Sequence, residues 1–374
     1  WARRGTKAAW PKGGAISGTC RNLADFLGRT CEFLYRKDFV LKKFVLCAAT
    51  AALALALVGC GQQGSEVPAG SAPQQEQATE APAAEAPAAE ATAPGPVTFT
   101  DDAGNEVTVD NPQRVVACMG SFANAWELAG GTLVGVSDDA LQAAGWTIQS
   151  PDVATVGDFS AVNLEAIMAL NPDFVIMTSG TGGRGGDSSQ ADLRDALIGA
   201  GIPVAYFEVT TFDDYLRMLK TCCDITGDAE AYKDNGTEVA EDIDAIKKKA
   251  EGKSAGSVAV LTTYSGGTRV QASSTQTGTM LAELGASNIP AADKSLLSDY
   301  SLESLVKADP DFIFLLPMGD SDEAAQKALK DQTTANPAWK ELTAVKKGHV
   351  ITLDPKLFLY KPNDDWDDAY EELY

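Results

Sequence analysis

Two glutamates, Glu165 and Glu303, occupy the same place in a passage that the chain contains twice. Residues 163–177 and residues 301–315 share Leu, Glu, Pro, Asp and Phe in register, and the two copies lie 138 residues apart. In each copy the glutamate falls in the first turn of a predicted helix, where a carboxylate stabilises the helix dipole by about 0.3–1 kcal/mol. The repetition indicates that the elements carrying these carboxylates are themselves repeated.

Each copy has the pattern of a helix followed by a buried strand. Asn163 and Ser301 are N-cap residues, a short helical stretch follows, and a Pro-Asp turn leads into an apolar run. Because such a unit occurs once in each half of the folded region, the sequence predicts two similar α/β lobes with a cleft between them. Clefts of this kind bind ligands.

The rest of the folded region fits this architecture. Residues 97–109 predict a β-hairpin, and alternating strands and helices then predict mostly parallel sheets. A Glu- and Lys-rich stretch predicts one long helix between the lobes. The predicted fold class is therefore α/β, with two Rossmann-like lobes joined by a single long helix and a ligand cleft between the lobes. The predicted divisions are an N-terminal lobe at 97–227, a connecting helix at 228–252 and a C-terminal lobe at 253–374.

The first 96 residues have the pattern of an export leader and a tether. Residues 1–39 are basic and irregular, which predicts a non-native upstream segment, and residues 40–59 resemble a lipoprotein signal peptide. The run Leu-Val-Gly-Cys ends at Cys60, the predicted lipidation site. Residues 60–96 are rich in Gln, Ala, Pro and Glu and predict a disordered tether. The chain is thus expected to be exported and lipid-anchored to the outer face of the cytoplasmic membrane, contacting the membrane only through its anchor.

The composition excludes several function classes. With 52 acidic and 30 basic residues the net charge is −22, which argues against nucleic-acid partners. Cys118, Cys222 and Cys223 lack CxxC spacing and predict no metal site. They are expected to be small buried residues, and a disulfide between Cys118 and either of the other two is the alternative.

The order of several short motifs resembles a known family. Residues 112–116, 133–136 and 284–289, together with the two copies of the repeat and the lipobox, are similar to the helical-backbone (class III) substrate-binding proteins of ABC importers. This family serves ferric siderophores, haem and cobalamin. The resemblance covers residues 97–374, and the tail from Tyr360 resembles the start of the family's closing helix, which predicts that the C-terminal lobe is truncated.

The resemblance implies a mechanism and partners. A ligand is held between the lobes with little hinge motion, and the loaded protein docks on an ABC permease dimer that works with an ATPase. Glu165 and Glu303 match the glutamates with which the family contacts its permease. Exposed ion pairs of this kind contribute about 0–1 kcal/mol each, so they orient the complex more than they tighten it.

Candidate ligand contacts lie where strands end, because these loops face the cleft in open α/β sheets. Aromatic faces suit a macrocycle or an aromatic chelator, and arginines suit carboxylates. Alternatively, the aromatic residues pack within the fold and the arginines are solvated instead of contacting a ligand. The sequence does not indicate whether Trp146 lines the cleft. The candidates are Ser121, Phe122, Asp158, Phe159, Thr181, Arg184, Tyr264, Arg269, Tyr300 and Met318.

The chemical class of the ligand stays open at the level of sequence. The resemblance implies that an iron chelate, either a ferric siderophore or haem, is carried as transported ligand, with no intrinsic cofactor. Asp158 stands where hydroxamate-binding members carry a basic residue, and an acid there disfavours an anionic chelate. A corrinoid is the alternative ligand, and an adhesive surface lipoprotein is the distant alternative function.

Other chemistries fit less well, and the chain is predicted not to be an enzyme. Residues 180–185 match G-x-G-x-x-G, but they do not belong to the first βα unit, so a glycine-rich cleft loop is favoured over dinucleotide binding. His349 is the one histidine of the chain, which opposes a bare-metal site. No G-x-S-x-G motif is present, which opposes a hydrolase.

Overall fold

The computed structural model describes residues 95–142, 146–179, 190–264, 267–291, 301–318 and 334–374, together with positions 327 and 330. The predicted leader, Cys60 and nearly all of the tether lie outside the described residues. Within the described residues, no helix combines the length and the apolar character that crossing a membrane requires.

The N-terminal lobe is built on a parallel sheet of five strands in the order β5-β4-β3-β6-β7. Its inner strands are short Val- and Ile-rich runs buried on both faces, as expected for a sheet covered by helices on both sides. A separate antiparallel hairpin, β1-β2, precedes it. The strands are β1 Val97–Thr100, β2 Glu106–Val109, β3 Val115–Ala117, β4 Leu133–Val136, β5 Ala154–Thr155, β6 Phe174–Thr178 and β7 Val204–Phe207.

Helices cover both faces of this sheet and continue into the connection between the lobes. Short 3-10 turns at Asp138–Ala140 and Ala191–Leu193 supplement them. The helices are α1 Gly120–Leu128, α2 Leu164–Ala169, α3 Arg194–Gly199, α4 Phe212–Thr226, α5 Ala229–Tyr232 and α6 Glu238–Ala250.

A continuous helical run joins the lobes. It consists of α5, a π-helical segment at Lys233–Thr237 and α6, and it is about 33 Å long at 1.5 Å per residue. In the π segment the carbonyl of Asn235 accepts a hydrogen bond from the Tyr215 hydroxyl at 3.0 Å, and the Asn235 amide donates to the Leu128 carbonyl at 2.9 Å. The helical run thus spans residues 229–250, and the Asn235-Gly236 pair lies in its π-helical segment.

The C-terminal lobe has a second sheet of similar design. Strands β10-β8-β11-β12 are parallel in that order, and β9 pairs with β8 in the antiparallel direction. The strands are β8 Ser257–Tyr264, β9 Gly267–Val270, β10 Ser287–Asn288, β11 Phe312–Pro317 and β12 Val350–Thr352. The helices are α7 Gln276–Glu283, α8 Leu302–Ala308, α9 Thr343–Lys347, α10 Pro355–Phe358 and α11 Trp366–Leu373, with 3-10 turns at Ile289–Ala291, Pro337–Glu341 and Asn363–Asp365.

The repeated passage forms the same unit in both lobes. Helix α2 precedes β6 and helix α8 precedes β11, and the two strands belong to different sheets. In the turn that leads into each of these strands, an aspartate fixes the start of the neighbouring strand: Asp173 accepts from the Arg114 amide at 2.8 Å, and Asp311 accepts from the Ser257 amide at 3.0 Å. The predicted fold class, two parallel-sheet lobes, is confirmed.

One apolar core runs through both lobes. It includes Phe122 of the first lobe, Ile243 of the connecting run and Tyr370 of the second lobe. Trp366 is fully buried, and its ring meets that of Phe212 edge-on at 6.0 Å. A packed core of this kind resists deformation, so the closing helix α11 ties the second lobe to the first.

Candidate functional site

The carboxyl ends of the strands in the two sheets are linked by one stretch of chain. Leu353 follows the last strand of the second sheet, and ten residues later the Asn363 amide donates to the Ser121 carbonyl at 2.8 Å. Ser121 lies in the first turn of α1, the helix that follows β3. The strand ends that parallel α/β sheets use for ligands are therefore brought together along residues 353–363, which we call the crossing segment.

The first strand end of the N-terminal lobe is closed by an acid. The Gly120 amide donates to the Asp139 carboxylate at 2.9 Å, and burial raises the pKa of this carboxyl group above its usual value. A Cβ at Gly120 would lie 2.8 Å from the same carboxylate oxygen, so only glycine permits the approach. The N-terminus of α1 thus already holds a carboxylate of the protein itself.

Ser121 and Phe122 occupy buried positions beside this acid. The Ser121 hydroxyl is buried and has no hydrogen-bond partner among the described residues. Phe122 is 2% exposed, and its ring packs edge-on against Phe207 at 6.3 Å. In this structure Phe122 therefore belongs to the core, and it would have to move to touch a ligand.

The loop before α2 carries two further predicted contacts. Asp158 is exposed, and its carboxylate accepts from the Ser160 amide at 2.8 Å and from the Ser160 hydroxyl at 2.5 Å. Phe159 is half-buried, and its carbonyl accepts a hydrogen bond from Gln190 at 2.6 Å. The carboxylate is fixed by its own turn, while the ring remains partly accessible.

Gln190 organises this edge of the sheet, and sequence analysis did not identify it. Its buried side-chain amide also donates to the Cys118 carbonyl at 2.9 Å, and its side-chain oxygen accepts from the Thr178 amide at 3.0 Å. The Tyr206 hydroxyl donates to its backbone carbonyl at 3.0 Å. These bonds hold the ends of three strands and the Asp158 loop together. A lone glutamine has no periodic or motif signal that would have marked it.

The C-terminal lobe presents a cation on an aromatic ring. Arg269 on β9 donates from Nε to the Tyr264 hydroxyl at 3.0 Å, and its guanidinium carbon lies 5.0 Å from the centre of the same ring. Arg269 is exposed and forms no ion pair with any described acid. Its guanidinium is thus held in place yet keeps donors for an incoming oxygen ligand. Met318, half-buried after β11, donates its amide to the Thr263 carbonyl at 2.7 Å.

The crossing segment is fixed from both lobes. The buried side chain of Gln276 donates to the Leu357 carbonyl at 2.8 Å and to the Tyr360 carbonyl at 3.4 Å. The Tyr360 ring meets Trp146 of the first lobe edge-on, with ring centres 5.8 Å apart. Trp146, which the sequence did not place, therefore lies where the two lobes meet. Burial lowers the pKa of the next residue, Lys361, to about 8.

Glu165 and Glu303 occupy equivalent positions on the outer helices. Each is exposed in the first turn of its helix, α2 or α8, behind an N-cap whose side chain accepts a backbone hydrogen bond. The Asn163 side chain accepts from the Ala166 amide at 2.9 Å, and the Ser301 hydroxyl accepts from the Ser304 amide at 3.1 Å. Both carboxylates are thus available at the surface of their lobes.

Three of the predicted ligand contacts, Thr181, Arg184 and Tyr300, lie outside the described residues, as does the glycine-rich run at 180–185. The predicted lipidation site, Cys60, also lies outside them.

The described part of the chain contains no group of three or more His, Cys, Asp or Glu side chains suited to a metal ion. His349 stacks on Phe312 with ring centres 4.3 Å apart and bonds to the Asp311 carbonyl, so it supports β11. Cys118, Cys222 and Cys223 are buried free thiols, as expected for small core residues, and the alternative disulfide is absent. Burial raises their pKa values, that of Cys223 to about 11, which keeps them protonated.

Comparisons with known proteins agree with this architecture. The family model described as Periplasmic binding protein (Peripla_BP_2) matches residues 115–357. The Fe(3+)-citrate-binding protein YfmC of Bacillus subtilis is 27% identical over 258 residues, which cover 68% of this chain and 77% of YfmC. The high-affinity heme uptake system protein IsdE of Staphylococcus aureus is 26% identical over 229 residues, which cover 60% of this chain and 74% of IsdE.

A solved structure shows the same fold. Staphylococcus aureus SirA complexed with staphyloferrin B aligns with a TM-score of 0.59 at 20% identity, covering 74% of this chain and 98% of SirA. The matched relatives are binding and uptake proteins, which confirms that the chain is not an enzyme. The resemblance to substrate-binding proteins of ABC importers is likewise confirmed. Since the family model spans both sheets and the helical run between them, the chain belongs to the periplasmic binding protein family.

Proposed function

We propose that this protein captures an iron chelate outside the cytoplasm and delivers it to an ABC permease. The observation that carries the proposal is the pair of parallel sheets whose strand ends are linked by the crossing segment, in a chain that the periplasmic binding protein model matches over residues 115–357. The named ligands of its relatives are ferric citrate for YfmC, heme for IsdE and staphyloferrin B for SirA. An iron chelate is the class of ligand that these names share.

The chelate is proposed to lie between Asp158 and Phe159 on the first lobe and Tyr264, Arg269 and Met318 on the second. Arg269 supplies guanidinium donors that match ionised oxygens, and the half-buried Phe159 ring supplies an apolar face. Ser121, Thr181, Arg184 and Tyr300 remain proposed contacts on the sequence argument alone, and Phe122 would become a contact only if its ring left the core.

Delivery is proposed to use the two outer glutamates. Glu165 and Glu303 are exposed at matching positions, so a partner with two halves, the permease dimer with its ATPase, could be contacted by both lobes at once. The long helical run and the shared core would keep their separation nearly constant, which favours docking without large lobe movement.

Anchoring is proposed to occur through a lipid on Cys60, with residues 61–96 as the tether. Cells that produce the full chain with Cys60 replaced by Ser are expected to release it from the membrane fraction. Mass spectrometry of the N-terminal peptide should find a diacylglyceryl group on Cys60 of the unaltered protein. Membrane retention of the Cys60→Ser protein would contradict the anchor.

Binding to purified protein tests the main proposal. Native mass spectrometry and quenching of tryptophan fluorescence would be measured with ferric citrate, haem, ferric staphyloferrin B and cobalamin. We expect saturable one-to-one binding of at least one iron compound. Binding of cobalamin alone would replace the proposal with a corrinoid carrier, and silence across the whole panel would favour an adhesive role.

A further inference from the structure

A groove on the outer edge of the N-terminal lobe lies apart from the proposed chelate site. It has a volume of about 340 Å³, at the lower end of the range for small-ligand pockets. Residues 106–108 of β2 form one wall, and Arg194 and Ile198 of α3 with residues 201–204 form the other. Residues 201–204 stand at the amino end of β7, whereas the chelate is proposed to bind at the carboxyl ends of the strands, so the two sites are separate.

Two strand edges with open backbone groups border this groove. Among the described strands β2 pairs only with β1, which leaves its other edge unpaired. On β7 the carbonyls of Pro203 and Phe207 accept from residues of β6, so by alternation Val204 and Tyr206 face away from β6. The Tyr206 carbonyl accepts from the Asp102 amide of the hairpin turn at 2.9 Å, while Val204 lines the groove. An extended peptide in the groove would therefore find backbone donors and acceptors.

Arg194 supplies a cation to the same groove. The residue is half-buried, and its Nε is buried without a hydrogen-bond partner among the described residues. A buried donor that lacks an acceptor costs free energy, so an acceptor oxygen would be stabilising here. Ile198, 43% exposed, adds apolar surface on the same wall. A guanidinium beside an apolar wall and open strand edges suits an extended peptide that carries a carboxylate.

A segment of this chain with the matching chemistry directly precedes the hairpin. Residues 61–94 contain five glutamates and no lysine or arginine, which complements the charge of Arg194. Within them residues 88–93 are the proline-free stretch nearest to the fold, and Glu90 is the one charged residue of this stretch. Its other residues are alanine and threonine, which are small enough for a narrow groove. The flanking prolines lack backbone donors and lie outside the part that would pair.

The connection from this segment to the groove is short. The chain enters the hairpin at Val97, which pairs with Val109, the neighbour of the groove-lining Thr108. Val97 lies seven positions after Glu90, a span of at most about 25 Å, whereas paired strands are only about 5 Å apart. A segment tethered this closely has an effective concentration in the millimolar range. Even a groove of about 0.1 mM affinity would therefore be filled by this segment.

We infer that residues 88–93 dock in the groove as an extended strand, with the Glu90 carboxylate on the Arg194 guanidinium. The inference does not depend on which ligand the protein transports. It divides the predicted tether into a docked part and a spacer. A lipid on Cys60 would then hold the protein by the outer edge of the N-terminal lobe, which would fix the side of the molecule that lies nearest to the membrane.

Glutamate-specific proteolysis of the full chain tests the docking. Glu85 and Glu90 both lie within Ala-Ala-Glu-Ala, so Glu85 is an internal reference with the same neighbouring residues. Mass spectrometry would follow cleavage after each. Because cleavage requires release from the groove, we expect wild-type protein to be cut at Glu90 about tenfold more slowly than at Glu85. Equal rates at the two sites would overturn the inference.

Two groove variants test the role of the cation. Arg194→Gln should bring cleavage at Glu90 to within about twofold of the Glu85 rate. Glu106→Gln, the matched control, should keep or increase the protection, because it removes the groove's own acid. Protection that persists in Arg194→Gln would show that the segment does not dock on this residue. The protection should also be independent of protein concentration, and its loss on dilution would assign the groove to a second copy of the chain and overturn docking within one chain.

A charge exchange gives an independent readout in case Arg194→Gln disturbs the fold. With Glu90→Lys, and Glu85→Lys as the reference site, a lysine-specific protease should cut at both positions at similar rates, because like charges oppose docking. Adding Arg194→Glu should restore about tenfold protection at position 90 alone. If the added substitution leaves position 90 as accessible as position 85, the proposed pairing of the two side chains is wrong.

Discussion

The two lobes share a repeated scaffold but differ in the charge of their strand ends. In both, a capped helix leads through a turn to a buried strand, and an aspartate fixes the neighbouring strand. In the first lobe the strand ends carry Asp139 and the exposed Asp158. In the second they carry Arg269 on the Tyr264 ring. The duplicated positions thus keep the same structural roles in both lobes, whereas the charges at the strand ends lie outside the repeat and differ between the lobes.

The charges on the outer helices, unlike those at the strand ends, are the same in both lobes. Glu165 and Glu303 belong to the repeat itself and are exposed in both lobes. A partner with two similar halves can recognise such a pair, because each half meets the same charge in the same place. Ligand selection would thus use residues outside the repeat, whereas partner docking would use residues within it.

The largest expected effect comes from reversing both outer charges. The double variant Glu165→Lys with Glu303→Lys should reduce uptake of the bound chelate by more than about a hundredfold, since like charges facing each other cost several kcal/mol. Uptake of radiolabelled iron by cells that carry the protein and its permease would measure the loss. Affinity of the purified double variant for the chelate should match the wild type.

Reversing the charge of Glu165 alone or of Glu303 alone tests whether the two lobes contribute equally to uptake. If docking uses the two carboxylates in the same way, the two single variants should lose uptake to a similar degree. Reversal of Asp195, an exposed acid of helix α3 outside the repeat, serves as the control and should leave uptake near normal. Normal uptake by the double variant would exclude the docking role.

The crossing segment lies outside both copies of the repeat. The destabilisation caused by one of its residues, Lys361, should be measurable. Lys361→Met is expected to raise the free energy of unfolding at pH 7 by roughly 1–3 kcal/mol, because burial lowers the pKa of this lysine to about 8. Urea denaturation would measure the gain.

The pH dependence of this gain has a definite sign. Below pH 8 Lys361 is charged in both the folded and the unfolded state, so the full penalty is present. Between pH 8 and the unfolded value of 10.5 the folded state binds fewer protons, and the wild type gains stability relative to Lys361→Met. Burial raises the pKa of Asp214, one of the acids that act on the lysine, but hydrogen bonds from Arg217 and Thr211 lower this pKa overall, so Asp214 stays ionised throughout this range. A difference between the two proteins that does not shrink as pH rises would contradict the assignment.

The strand ends of the two lobes carry charges of opposite sign. Substituting these residues tests whether the two charges have opposite effects on the binding of an anionic chelate. Arg269→Ala should weaken binding of an anionic chelate about tenfold, through loss of charge-assisted hydrogen bonds. Asp158→Asn should strengthen it about two- to fivefold, because the amide keeps an acceptor for Ser160 but removes the negative charge. Calorimetry with ferric citrate would measure both, and weakening by both variants would show that the two edges do not act as charge opposites.

The scaffold was predictable from sequence because its signals are local and repeated. N-caps, turn residues and apolar runs within one short passage predicted α2 with β6 and α8 with β11, whereas the π segment of the connecting run was not predicted. Strand β9 was not predicted, since a hairpin on the edge of a parallel sheet breaks the strand–helix alternation. Local patterns therefore sufficed for the lobes but not for their edges.

The site was less predictable because long-range contacts build it. The bond from Asn363 to Ser121 joins residues 242 positions apart, and the bond from Gln190 to Cys118 joins residues 72 apart. Neither contact leaves a pattern in the sequence. Phe122 was predicted to face the cleft because it follows a strand, but its ring packs in the core. Lys361 lay in a tail where the sequence offered only a resemblance.

The smallest expected effect tests whether the duplicated N-caps are energetically equivalent. Asn163→Ala and Ser301→Ala each remove a side-chain acceptor for a first-turn amide and should each lower the free energy of unfolding by about 1 kcal/mol. Chemical denaturation of both variants would measure this, with Asn163→Asp and Ser301→Thr as controls that retain a capping oxygen and should recover most of the loss.

The Ser301 hydroxyl also bonds to the Ser304 hydroxyl at 2.9 Å, so Ser301→Ala should lower the free energy of unfolding by as much as Asn163→Ala or slightly more. If one cap proves costly and the other neutral, the two copies keep the same shape without sharing the same energetics. An equivalent docking role proposed for Glu165 and Glu303 would then need evidence independent of the repeat.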